Sequence, residues 1–189
     1  MDDHIASIEA ILRAWLEMPD YTVFSGDWRD GAVMELLPGS ARLSEPRYGG
    51  RFAGIRDLRI GDGAHHVHLD LGRLSRARYL IAPSVCYGFK PSFELRLTAD
   101  GNDPMSRFGI GFAVRAPYDG PSIREEVVRR YLQRVADHLR VYPEVTSFAC
   151  VRDVSSDTGA EGWAAIERIV GAEARLSPLR ASLDMPGAS

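Results

Sequence analysis

Three of the five histidines in this chain fall within four positions, His65-His66-Val67-His68, in a segment whose alternation reads as a β-strand. Side chains alternate faces along a strand, so His66 and His68 project together about 7 Å apart while His65 points the other way. Imidazole is the commonest metal ligand, so the His66 and His68 pair could hold a transition-metal ion or the iron of a macrocycle. Asp70 falls on the same face and could be a third ligand, or the acceptor that orients a ring. The structural alternative makes His66 and His68 half-buried hydrogen-bonding partners with His65 in solvent. His138 is in helical register with Tyr131, Val135 and Tyr142 and reads as a satisfied helix-face residue rather than a ligand.

Two other stretches carry chemical potential. Tyr87-Gly88-Phe89-Lys90-Pro91 places the chain's only lysine between aromatic residues. That combination suits a ligand with an apolar body and a carboxylate edge, or else a hairpin whose aromatics fold back on the sheet. Arg78, Arg107 and Arg115 could add anion contacts, since arginine grips carboxylates bidentately. From Arg107 to Arg115, Phe108, Ile110, Phe112 and Val114 line one strand face and Gly109, Gly111 and Ala113 the other. Alternate glycines in a strand point to a bulge, a packed helix or a flat ligand close to the backbone. Nucleophile motifs of the Gly-x-Ser-x-Gly and Ser-x-x-Lys types and phosphate-binding loops are absent from the sequence. His66-x-His68 is similar to the cupin metal motif, but the glutamate and second motif that complete it are not found at suitable spacing.

The elements that must position these residues follow from periodicity. Ile5, Ile8, Ile11, Leu12 and Trp15 recur at three- and four-residue spacing, predicting an amphipathic helix over 3–18 that Pro19 stops. Between Tyr21 and Asp119, short alternating runs separated by Gly, Asp and Pro predict an antiparallel meander. Its clearest strands are 32–37, 41–44, 54–60, 65–71, 76–82, 92–99 and 107–116. Ser122 and Glu125 resemble a capping box opening a long helix that Pro143 ends. A strand over 145–151 and a helix over 160–175 follow. The expected class is α+β, a large antiparallel meander sheet with helices packed on one face, in a single domain over 1–176 with a flexible tail over 177–189.

The bulk composition bounds the function. The 189 residues are 45% hydrophobic and 26% charged, which is ordinary for a folded domain able to bury its own core. No apolar run approaches the roughly 18 residues of a membrane span. A net charge of −3 offers no bulk attraction to nucleic acid. The acidic Met1-Asp2-Asp3-His4 start, with Glu9 and Arg13 following, shows no targeting pattern and makes a cytoplasmic location the expectation. Cys86 and Cys150 form no spaced pair and read as buried reduced thiols.

From about Val33 to Leu139 the order of pieces resembles the single-repeat haem-utilisation proteins of the ChuX and HutX group, related to the HemS haem-trafficking proteins. The resemblance runs through Val33-Met34-Glu35-Leu36-Leu37, Gly63 to Leu69, Ala77-Arg78-Tyr79-Leu80-Ile81, Phe93 to Leu97, the Asp100-Gly101 turn, and the strand and long helix after it. It implies a HemS/ChuX-like sheet with helices against it, a homodimer, and haem held in a cleft by a histidine with basic residues at the propionates. His66 or His68 is the position nearest the family's histidine-bearing strand. Three readings stand on this basis. One is a cytoplasmic haem- or tetrapyrrole-binding or trafficking protein using His66 or His68, with Tyr87, Lys90, Arg78, Arg107 and Arg115 around a flat carboxylated ligand. Another is a metal-dependent enzyme using His66, His68 and Asp70 or Glu94. The third is a non-catalytic dimeric interaction module.

Overall fold

Ile8, Ile11, Leu12 and Trp15, spaced for one helical face, form the buried side of α1 (Asp3–Leu16) in the computed structural model of the chain. The structure describes residues 3–27, 32–37, 40–46, 49–61, 65–99, 110–151 and 160–183. After α1 come β1 (Tyr21–Asp27), β2 (Ala32–Leu36), β3 (Ala41–Leu43), β4 (Ile55–Ile60), β5 (His65–Asp70), β6 (Arg76–Pro83), β7 (Pro91–Thr98) and β8 (Ile110–Val114). They are followed by β9 (Tyr118–Asp119), β10 (Ser122–Ile123), α2 (Glu125–Val141), β11 (Thr146–Cys150), α3 (Ala160–Ala172) and α4 (Ser177–Leu183). The class is α+β, with a large sheet and four helices among the described residues. No helix among them is long and apolar enough to cross a membrane. The chain forms two compact units, Met1–Ala77 with Arg96–Phe112, and Arg78–Leu95 with Ala113–Ser189.

In the first unit the strand order is β7-β8-β1-β2, and β1 and β2 form an antiparallel pair from Val23↔Leu36 to Asp27↔Ala32. Phe112 on β8 lies 6.2 Å from the ring of Trp15 and 6.1 Å from that of Tyr21, so α1 and β1 share one apolar centre. A separate antiparallel sheet, β3-β4-β5, carries the histidine strand. Its fully buried Arg56 meets Glu9 of α1 through Nε at 3.0 Å and Nη2 at 2.8 Å, and donates from Nη1 to the carbonyls of Ala53 and Ile55. A buried guanidinium needs such partners, because an uncompensated charge in the interior is costly. The chain leaves this sheet through a pinch where a Cβ on Gly54 would stand 2.8 Å from the Gly72 nitrogen. Ser75 N–H then donates to the carbonyl of Thr98.

The single meander expected from alternation is therefore divided, since β3, β4 and β5 pair among themselves and β5 has no neighbour in the larger sheet. Period-two patterning marks a strand but not its partner. Tyr21–Asp27 was not among the expected strands, yet it supplies β1.

In the second unit the order is β11-β6-β7-β8, with Val151 N–H donating to the carbonyl of Ile81 at 2.8 Å. Val128, Tyr131, Leu132, Val135 and Ala136 make the buried face of α2. The Tyr131 hydroxyl lies within hydrogen-bond reach of the carbonyls of Leu80 at 3.1 Å and Glu94 at 3.0 Å. Its ring packs on Phe93 at 5.4 Å and on Tyr79 at 5.9 Å. The expected capping box does not form. Ser122 pairs with Asp119 in the β9–β10 hairpin, and Arg124 precedes the first helical residue without a side-chain cap. Residues 177–183, expected as tail, form α4 with Leu179 fully buried and Leu183 nearly so, while 184–189 lie outside the described residues.

Candidate functional site

His66 and His68 do share a face of β5, their ring centroids 4.8 Å apart in an edge-on arrangement. Both side chains are exposed, whereas Leu69 on the same strand is buried. In the register of the three-stranded sheet, His68 stands opposite Asp57 and His66 opposite Arg59 on β4. Arg59 in turn stands opposite Arg42 on β3. Directly opposed residues point to the same side. The face thus presents, from strand to strand, imidazole, guanidinium and guanidinium, with a carboxylate beneath.

That carboxylate is the centre of the arrangement. Asp57 is only 5% exposed, and its Oδ1 accepts a hydrogen bond from Nδ1–H of His68 at 2.9 Å. The Asp57 backbone N–H donates to Ser44 Oγ at 3.0 Å, and Ser44 N–H donates to the Asp57 carbonyl at 2.9 Å, which ties the residue to the end of β3. The side chain of His68 is 60% exposed, so the pair contributes little stability in water. Its consequence is orientation. With Nδ1 engaged, the ring offers Nε2 to a ligand in a fixed direction, the tautomer and geometry that metal-bound histidines obtain from a carboxylate partner. Arg42, Arg59, Ser44 and Glu45 line a neighbouring pocket of about 300 Å³.

Asp70, expected on this face as a further ligand, is used in the turn that follows. Its Oδ1 accepts from Gly72 N–H at 3.1 Å and its Oδ2 lies 3.4 Å from Arg73 Nε. His65 is exposed and stands opposite Ile60 on the other face. Among the described residues, no group of three or more His, Cys, Asp and Glu side chains is arranged to hold a metal ion by itself.

The remaining expected contacts fall in the second unit or outside the described residues. Tyr87 packs on Tyr118 with ring centroids 5.6 Å apart, and Lys90 Nζ lies 5.0 Å from the Tyr118 ring centre and 3.4 Å from the Gly120 carbonyl. The Tyr118 hydroxyl donates to the Pro91 carbonyl at 2.7 Å, and burial, with Tyr87 beside it, raises its pKa. These contacts make the Tyr87 to Lys90 connection a folded-back hairpin. Arg78 is buried on β6 and Arg115 is exposed. Arg107 and Gly109 lie outside the described residues. Cys86 is exposed and Cys150 partly so, in place of two buried thiols.

Gly111 has its own explanation in the first unit. A Cβ there would fall 2.4 Å from Cζ of Phe24, so the bare face is filled by an aromatic ring from β1. Arg96 stacks on that ring with its guanidinium carbon 5.8 Å from the centroid. Glu94, considered as a metal ligand, is buried on β7 in the second unit, its Oε1 2.6 Å from Ser92 Oγ.

His138 is buried on α2, and its Nδ1 lies 2.5 Å from the hydroxyl of fully buried Tyr79. Burial, reinforced by Arg134 and opposed by Asp137, lowers its pKa to about 4, so the ring is neutral at pH 7. Burial likewise raises the pKa of Tyr79.

Asp57, Arg42 and Arg59 are the residues that sequence reading missed. They lie in the alternating runs 41–44 and 54–60, and only the register of β3-β4-β5 sets them beside the histidines. Compared with known proteins, the chain matches no family model and has no significant match among curated proteins.

Proposed function

We propose that the protein binds haem or a related metal-bearing tetrapyrrole, with His68 Nε2 as axial ligand to the metal. The observation that carries this reading is the Asp57–His68 hydrogen bond at 2.9 Å beneath an exposed ring. A free metal ion would need three or more protein donors for tight binding, whereas a macrocycle brings its own equatorial nitrogens and asks the protein for one or two axial ligands. One oriented imidazole without a third donor among the described residues suits the second case. Arg42 and Arg59, cross-strand neighbours that line one pocket, support carboxylate contacts at the macrocycle edge in this reading, in place of Lys90, Arg78 and Arg115.

In this reading His66 flanks the axial ligand, and the open face of β3-β4-β5 takes the flat side of the ring. The haem-utilisation resemblance supports a binding or trafficking role in the cytoplasm, in a homodimer. The chemistry supplied by bound haem is that of its iron, and the residues described set only how the iron is approached and oriented.

Titration of haemin into the full-length protein tests the reading directly. A saturable Soret band with one haem per chain is expected, with loss of the band in His68→Ala. A spectrum identical to free haemin, or one unchanged by His68→Ala, would overturn it.

A further inference from the structure

β5 is an edge strand. In the sheet β3-β4-β5 it pairs with β4 alone, so among the described residues no strand meets the backbone N–H and C=O groups of its other edge. Such an edge is a template for a further strand. The histidines on it are half of a zinc site. His66 and His68 are exposed on one face with ring centroids 4.8 Å apart, and no third His, Cys, Asp or Glu side chain among the described residues joins them. Tetrahedral zinc takes four donors.

A second copy of the chain can supply the missing pair, because the strand is self-complementary. Antiparallel pairing of β5 with itself about Val67 sets His66 of each copy directly opposite the second copy's His68. Opposed residues share a face with their Cβ atoms about 5 Å apart, which lets four imidazoles converge on one ion. Pairing of this kind is two-fold symmetric and closes as a dimer.

Asp57 adds direction and charge. It holds Nδ1 of His68 from β4, and the two ring nitrogens point away from each other, so Nε2 is directed away from β4. A carboxylate behind a histidine is the arrangement that orients zinc-binding imidazoles. The Asp57 carboxylates of two copies also offset the two charges of the ion. Arg59 stands on the β4 side of His66, away from the shared edge.

We infer that two copies of this chain pair along β5 and bind one zinc ion through His66 and His68 of both. The inference does not depend on haem binding, and the two ligands compete for Nε2 of His68.

Sedimentation velocity of the haem-free, EDTA-treated full-length protein with stoichiometric zinc or magnesium, and a count of zinc retained on dialysis, test it. Zinc should double the mass of the metal-free species at one ion per two chains, and EDTA should reverse the change. Magnesium, which takes oxygen donors, should do nothing. His66→Ala or His68→Ala alters an exposed side chain but removes two of the four donors, and should abolish the effect. Asp57→Asn should weaken it by about 10- to 100-fold, while His65→Ala, on the opposite face, should leave it unchanged. No zinc-dependent association, association that magnesium reproduces, or association that survives His66→Ala would overturn the site.

Discussion

The chemistry at the residue scale rests on one carboxylate. Asp57 holds Nδ1 of His68, so on the proposed haem reading Asp57→Asn should leave the fold intact and lower haemin affinity by about 10- to 100-fold, the usual effect of losing a ligand's orienting partner. Absorbance titration of that variant beside His68→Ala separates orientation from ligation. On the same reading His65→Ala, on the opposite side of β5, should leave haemin affinity unchanged. At Gly111 a methyl group has no room against Phe24, so Gly111→Ala should destabilise the protein by about 1–3 kcal/mol in urea unfolding. Both effects come from neighbours across strands. The sequence placed His66 and His68 correctly on one side because strand alternation is local. It could not show Asp57 as their partner, since the eleven-residue separation closes only when β4 and β5 adopt their register.

At the scale of elements, two polar links join helices to strands. Glu9 of α1 is the partner of Arg56, whose side chain has no solvent exposure. Glu9→Ala should therefore cost about 3 kcal/mol, because it leaves a buried guanidinium without its countercharge. Measured in denaturant, a loss below about 0.5 kcal/mol would show that solvent reaches Arg56 and that the link behaves as a surface pair.

The α2–β6 link is neutral and pH-dependent. His138 binds its proton less readily in the folded protein, about 4 against 6.5, so the unfolded chain holds more protons between those values. Stability should consequently rise with pH from 4 to 6.5 and level off above, the group contributing about 3 kcal/mol of loss on full acidification. His138→Phe should remove that slope from a plot of denaturation midpoint against pH. The helical spacing of α2 was legible from Val128, Tyr131, Leu132 and Val135, and so was the position of His138 on its semi-apolar side. Its start was not, because Ser122 found a strand partner in Asp119 and was no longer available as a cap.

The whole molecule is an α+β protein whose strands divide among separate sheets. Composition and net charge, which need no coordinates, bound its partners. With a charge of −3 and no preponderance of cations, binding to duplex DNA should be undetectable at physiological salt in a mobility-shift assay.

The sequence by itself determined what short-range periodicity can determine: the α+β class, most strands and helices, the buried face of α2, and the common side of His66 and His68. These depend on the 3.6- and 2-residue repeats of the backbone, which are written in neighbouring residues. Tertiary structure alone decided which strands pair, that β3-β4-β5 stands as its own sheet, that Phe24 fills the space above Gly111, and that Asp57, Arg42 and Arg59 rather than Asp70 and Lys90 surround the histidines. Pairing and register are set by contacts between residues distant in the chain, and a shift of one residue would turn Asp57 away from His68.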